Sequence, residues 1–303
     1  MGELLSLFTN NLLPIFLIVG ASFLFGRYTG VSPRPLSQLV FHLFSPCLLF
    51  TLLTQNRLSG SEISRVMLFA VACTLLVGAL TWIFGASFRL QRRMLAGVML
   101  SSMFMNAGNF GLPVVLFAFG ETALSYASLY FVTSAILAYT LGAVIASLGS
   151  VNLVSALVNL LKVPSVYALA LALVFLATGW KVPMPLERTF KLLGDASIPS
   201  MLVLLGLQLQ TAVWSNNSLP MTLAGSMRLL VSPMIAFLLI PLFGLAGPAR
   251  QALILEAAMP TAVLTTVLAT EFNAEPSFVS ATVLITTMLT PLTLTPLLAI
   301  LGA

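Results

Sequence analysis

The chain has 303 residues, 59% of them hydrophobic and only 7% charged, with a net charge of +5. A soluble domain is about 25% charged, so a soluble fold is excluded. The basic residues lie in short loops between apolar runs, where they mark membrane topology and not a nucleic-acid surface.

In chain order, the apolar segments fall at 5–26, 36–55, 65–88, 92–119, 122–148, 163–181, 189–210, 220–245, 249–271 and 277–301. Each comes close to the ~20 residues that span a bilayer core as helix. Charge is absent from the runs Leu4–Gly26, Val66–Phe88, Met94–Gly120, Val163–Trp180, Leu229–Ala249 and Pro276–Ala303. A charge at mid-membrane costs roughly 2.5–3.5 kcal/mol on the insertion scale. Trp82, Trp180 and Trp214 fall at or near segment ends, as interfacial aromatics do. Cys47 and Cys73 sit in apolar runs and read as core residues, not as a disulfide framework.

The stretch "LPIFLIVGASFLFGRYTGVSPRPL" begins at Leu13, within the first segment, and "VPSVYALALALVFLATGWKVPMPL" begins at Val163, with the sixth. Pro14, Pro33, Pro35 and Leu36 return as Pro164, Pro183, Pro185 and Leu186, at an offset of 150. The second and seventh segments share a proline, Pro46 in "SPCLLFTLL" and Pro199 in "IPSMLVLLG". Pro113 of the fourth answers Pro260 of the ninth. Each half then carries five spans, and an odd number makes the second half enter the bilayer from the opposite side. That is an inverted repeat, the architecture of many secondary transporters. The expected organisation is a first repeat over 1–150, an amphipathic cytoplasmic linker over 151–162 ("VNLVSALVNLLK") and a second repeat over 163–303. With both termini periplasmic, Arg27, Arg34, Arg89, Arg92, Arg93 and Lys162 face the cytoplasm. Arg57, Arg65, Lys181, Arg188, Lys191 and Arg250 then face out. The two totals tie, and the first half, which usually dominates, decides the orientation.

The fourth segment contains "NAGNFGLPVVLF", Asn106 to Phe117, which breaks a helix where a continuous one would be expected. Proline removes a backbone donor and glycine releases helical geometry. Freed peptide groups in lipid cost several kcal/mol each, so such a break survives only where protein or a wet cavity satisfies it. Equivalent breaks in both halves predict that spans four and nine cross at Pro113 and Pro260. Half-helix N-termini there would face an anion, and freed carbonyls could hold a cation. Asn106, Gly108, Asn109, Gly111, Pro113, Pro260 and Thr261 are the candidate substrate-binding residues. The two asparagines add neutral amide donors and acceptors.

These residues resemble a known family. "NAGNFGLP" is similar to the fourth-span signature of the auxin efflux carriers, the PIN-like family. "RLLVSPMIAF", "AAMPTAVLTTVLATEF" and "SATVLITTMLTPLTLTPLL" extend the resemblance over nearly the whole chain. It implies an all-α membrane protein of ten helices, in the fold of the bile-acid sodium symporters. Spans one, two, six and seven would form a scaffold. Spans three to five and eight to ten would form a transport unit with elevator-like alternating access. In its plant members it also implies homodimers, which makes a homodimer an expectation here. By the same resemblance, Ser134 and Tyr139 of "SAILAYTLG" enter the pocket, with serine where plant members carry a longer amide. The long central loop of many plant carriers is absent, as in compact bacterial members associated with small carboxylates.

Ionisable groups inside spans are functional candidates by default. Glu256 lies four residues before Pro260 and could carry a proton or, with freed carbonyls, ligate sodium. Arg228, early in the eighth segment where the family also has a basic residue, is a candidate charge partner for Glu256 or for a substrate carboxylate, or it snorkels to the interface. His42 and Asp195 read as polar helix–helix contacts. A single aspartate and a single histidine leave no aspartyl pair and no HExxH-type zinc cluster, so an intramembrane protease is disfavoured. The expectation is a secondary carrier of a small organic anion in a bacterial inner membrane, without a cofactor and coupled to H+ or Na+ or uncoupled. A passive anion channel and a non-transporting sensor on the same fold are the alternatives.

Overall fold

The computed structural model describes residues 2–56, 58–147, 158 and 163–303. Among these the chain is helical, and its one β-type contact is an isolated antiparallel bridge. The helices are α1 (Leu4–Thr29), α2 (Arg34–Asn56), α3 (Gly60–Ser87), α4 (Arg92–Met103), α5 (Ala107–Ala146), α6 (Pro164–Thr178), α7 (Met184–Leu209), α8 (Ser218–Phe243), α9 (Gly247–Ala257), α10 (Val263–Glu271) and α11 (Pro276–Leu301). The linker expected at 151–162 lies, but for Val158, outside the described residues.

Seven helices, α1, α2, α3, α5, α7, α8 and α11, are long and apolar enough to cross a membrane, and α6 is apolar but shorter. The segments expected at 92–119 and 249–271 are not continuous. The first is divided into α4 and the start of α5, and the second into α9 and α10. The turn expected between 119 and 122 is a kink inside α5, where Gly120 takes φ 75° without ending the helix. A residue with a side chain would be strained there.

Local signals set the other boundaries. Gly30 and Gly179, both at φ 67°, close α1 and α6 in the left-handed conformation, and prolines follow soon after each. The Ser59 hydroxyl accepts from the Glu62 N–H while the Glu62 carboxylate accepts from the Ser59 N–H, a reciprocal cap that starts α3.

The helices pack as two groups. Helices α1, α2, α6 and α7 lie against one another, and α3, α4, α5 and α8–α11 form a second cluster. The groups meet where α5 contacts α2 and α7 and where the first turns of α1 contact α11 and α5. Helices in lipid gain little from burying apolar area, so close approach through small residues matters more. Gly206 of α7 lies directly on α1, against the Val19 carbonyl and the Phe23 amide, and Gly194 lies on the Leu48 backbone of α2. Large apolar side chains such as Leu17, Leu24, Leu68, Leu238 and Leu242 point outward, with Trp82, Trp180 and Trp214. This suits a lipid-facing surface.

Replacing Gly206 with Ala drives a Cβ into the α1 backbone and should cost roughly 1–3 kcal/mol. Gly20→Ala, with open space around it, should be neutral or stabilise by up to about 1 kcal/mol. Melting midpoints in detergent check the contrast, and equal behaviour of the two variants would contradict the close α1–α7 contact.

Candidate functional site

The two interruptions meet. After α4 the chain turns extended at Phe104 (φ −106°, ψ 114°), and before α10 it does so at Ala262 (φ −69°, ψ 137°). The Asn106 N–H donates to the Pro260 carbonyl at 2.7 Å, and the Ala262 N–H donates to the Phe104 carbonyl at 2.9 Å. Met105 and Thr261 are thereby bridged antiparallel. Thr261 is held further: its N–H donates to Thr286 Oγ1 of α11 at 3.1 Å, and its hydroxyl donates to the Ser101 carbonyl at 2.8 Å. Peptide groups that would be orphaned in lipid thus satisfy one another.

The contact differs in detail from the expectation. Pro260 takes part in it, but Pro113 lies within α5, beyond a π-helical turn over Ala107–Gly111. That wide turn absorbs the hydrogen bond which a proline nitrogen cannot make, so the chain breaks before the turn and not at the proline.

The half-helix ends are sorted by polarity. The N-termini of α5 and α10, carrying residues 107–109 and 263–264, border a cavity of about 330 Å³. The C-termini of α4 and α9 point instead to Arg228. First-turn N–H groups lack intrahelical partners and carry partial positive charge, so the cavity sits at two positive ends. Its polar lining is Ser37, Gln38, His42, Ser45, Asn106, Asn109, Ser134, Tyr139 and Gln208, with no aspartate or glutamate. Asn106 is 5% exposed, and its side-chain NH2 has no hydrogen-bond partner. The Asn109 amide donates to Gln208 Oε1 at 3.2 Å, and the Ser134 hydroxyl contacts Met105 Sδ at 3.2 Å. The Tyr139 ring lies 5.8 Å from that of Phe41, which packs edge-on against His42. A larger cavity of about 850 Å³, bordered by the ends of α2 and α6 and the starts of α3 and α7, touches neither break, and Glu187 is among its lining residues.

Of the candidate residues, Asn106, Gly108, Asn109, Ser134 and Tyr139 line this one cavity. Gly111, Pro113, Pro260 and Thr261 are buried and do not line it. Glu256 is fully buried at the end of α9, both carboxylate oxygens lacking a hydrogen-bond partner, and it packs on Gly111, where any Cβ would meet it. Arg228 is fully buried and makes no ion pair with Glu256. The one ion pair among the described residues is Lys191–Asp195 at 3.2 Å, an exposed contact within α7. Asp195 therefore bridges no helices.

Gln208 and His42 join the cavity without having been singled out for it. Their helices α7 and α2 come from distant parts of the chain; His42 stands four residues before Pro46 but reads as a helix–helix contact, and nothing in the sequence marks Gln208. Wide turns also contribute: three of the five π-helical turns among the described residues, 40–44, 107–111 and 138–142, line the cavity, and a fourth, 227–231, carries Arg228. Such turns often mark functional sites.

Among known proteins, a family profile described as "Membrane transport protein" matches residues 7–153 and, separately, 150–298. The chain is 28% identical to an "Uncharacterized transporter" of Methanocaldococcus jannaschii, over 90% of this chain and 91% of that one. It is 27% identical to an "Uncharacterized transporter" of Methanothermobacter thermautotrophicus, over 84% of each. It is also 27% identical to a Rhizobium meliloti protein named "Putative malonate transporter", over 96% of this chain and 94% of that one.

The Gly111–Glu256 contact can be tested by a double-mutant cycle. Gly111→Ala should cost roughly 1–3 kcal/mol through overpacking. The same change in a Glu256→Ala background should cost less, with a coupling of about 1–3 kcal/mol in melting measurements. Additive costs would contradict the contact.

Proposed function

Because the chain belongs to the membrane transport protein family, to which the auxin-efflux-like signature at Asn106–Pro113 also points, we propose that it is a secondary carrier of a small organic anion, a mono- or dicarboxylate. The observation that carries the reading is the convergence on one cavity of two helix N-termini and the unpartnered Asn106 amide, with no carboxylate in the lining. A carboxylate would accept from the Asn106 and Asn109 amides and from first-turn N–H groups, as anions do at helix N-termini. The cavity's 330 Å³ is at the small end of ligand pockets, which fits a short acid better than an indole-sized one. Malonate, from the name of the Rhizobium relative, is the first compound to try.

The architecture proposed with it is two inverted five-span repeats, with spans four and nine interrupted at the cavity. Two separate profile matches that meet near residue 150 support this. So does the Gly120 kink, which divides residues 107–146 into the end of one span and the whole of the next. The packing of α1, α2, α6 and α7 as one group against the rest supports a scaffold and a moving unit, with elevator-like access between them. The proposed setting is the inner membrane, and the proposed assembly is a homodimer.

Glu256 is the proposed coupling group. It moves with the second helix group, and its buried, unpartnered carboxyl can hold a proton or, with nearby carbonyls, a sodium ion. Coupling decides direction. A negative-inside potential favours exit of an anion by about 2.3 kcal/mol per charge per 100 mV, so an uncoupled carrier exports and an importer needs a cation.

A thermal-shift screen of short carboxylates on purified protein, begun with malonate, should find a ligand, and Asn109→Ala should weaken its binding roughly tenfold, about 1.4 kcal/mol. Undiminished binding would remove the cavity from the account. In proteoliposomes, saturation and counterflow are expected; unitary currents would mean a channel, and binding without flux a sensor. Glu256→Gln should abolish dependence of uptake on a proton or sodium gradient, and an unchanged dependence would refute its role.

A further inference from the structure

Arg228 has no part in the cavity and no carboxylate partner, yet it is the largest fully buried side chain among the described residues. It enters from the π-helical turn Met227–Val231 of α8. One terminal nitrogen donates to the Ser102 carbonyl at 2.8 Å and to the Met103 carbonyl at 3.3 Å. The other donates to the Ala257 carbonyl and to Ser232 Oγ, and the Ser232 hydroxyl itself donates to the Ala257 carbonyl at 2.8 Å. Ser102 and Met103 end α4, and Ala257 ends α9. Three carbonyls released by the two helix breaks therefore converge on one guanidinium.

Each helix C-terminus carries roughly half an elementary negative charge. Two such ends pointing at one place form a cation site, and in carriers built from broken helices carbonyls of this kind coordinate monovalent ions. Here the position is filled by a side chain. Its planar fork reaches both helix ends at once, which a compact ammonium does less well. The positive charge is balanced by peptide dipoles, which leaves Glu256 free of it.

We propose that Arg228 is a built-in cation. It occupies the carbonyl cluster at the ends of α4 and α9 in place of a free monovalent ion, and it binds the two interrupted helices together permanently. The crossing then needs no sodium or potassium at these carbonyls, and any cation coupling must be sought elsewhere. The inference goes beyond the anion-carrier reading and is tested without a substrate, so either can fail alone.

The test is the melting temperature of purified protein in detergent at constant ionic strength. For the Glu256→Gln protein, which lacks the other proposed cation group, exchanging sodium and potassium for choline should leave the midpoint unchanged; a clear fall would overturn the proposal. Arg228→Ala should melt roughly 5 °C or more lower, because the carbonyls lose their shared partner. Millimolar guanidinium should recover part of that loss, and urea, the uncharged analogue of the same shape, should not. A midpoint equal to the unmodified protein's, or equal responses to guanidinium and urea, would overturn the proposal. Should Arg228→Ala fail to fold, Arg228→Lys and Arg228→Met decide the matter. The lysine variant should fold and melt above the methionine variant, and equal or reversed stability would show that charge is not what the cluster needs.

Discussion

Everything at the centre of this protein depends on how two broken helices satisfy their peptide groups away from water. The Asn106–Pro260 and Ala262–Phe104 hydrogen bonds are a two-rung antiparallel contact, the one β-type contact among the described residues. Without it, each interruption would strand donors and acceptors at a cost of several kcal/mol apiece. With it, each break is the other's solvent. Thr261 extends the arrangement to α4 and α11 through Ser101 and Thr286. The crossing is therefore tied into the surrounding bundle and is not a loop resting in a cavity.

A second consequence is electrostatic. Breaking two helices creates two positive and two negative ends, and the chain separates them. The positive ends border the cavity, where the lining contains amides, hydroxyls and an imidazole but no carboxylate. The negative ends share the Arg228 guanidinium. An anion in the cavity meets the positive ends of α5 and α10, while the negative ends of α4 and α9 nearby are already neutralised by Arg228, so neither of them opposes its binding. Glu256 stands apart from both arrangements, buried against Gly111 with its oxygens unpartnered. That isolation suits a group that changes protonation or ion occupancy during a transport cycle.

The helix packing is consistent with one body moving against another. Gly206 and Gly194 bring α7 onto the backbones of α1 and α2, a contact made by shape and with little polar content. The two groups meet along α5 and where the first turns of α1 pack on α11, and at the start of α5 the Asn109–Gln208 hydrogen bond crosses from one group to the other at the cavity. A ligand that took over the Asn109 amide would alter that link directly, which connects occupancy of the cavity to the relation of the two groups.

By itself the sequence determined the class of the protein and the neighbourhood of its site. Charge exclusion over some twenty residues at a time and the cost of a proline or glycine inside a lipid-exposed helix are local properties. They can be read wherever they occur, and Asn106, Gly108, Asn109 and Pro260 were found that way; Ser134 and Tyr139 followed from family resemblance. Only the tertiary structure decided the rest. It moved the crossing from Pro113 to Met105 and Thr261, brought Gln208 and His42 into the cavity, and turned Arg228 away from Glu256 toward carbonyls 126 and 125 positions earlier in the chain. The physical reason is that a helix apolar on every side carries no stripe marking its inward face. Which residues meet across such helices is set by rotation and depth, and these are fixed by close packing against neighbours and not by any pattern along one segment.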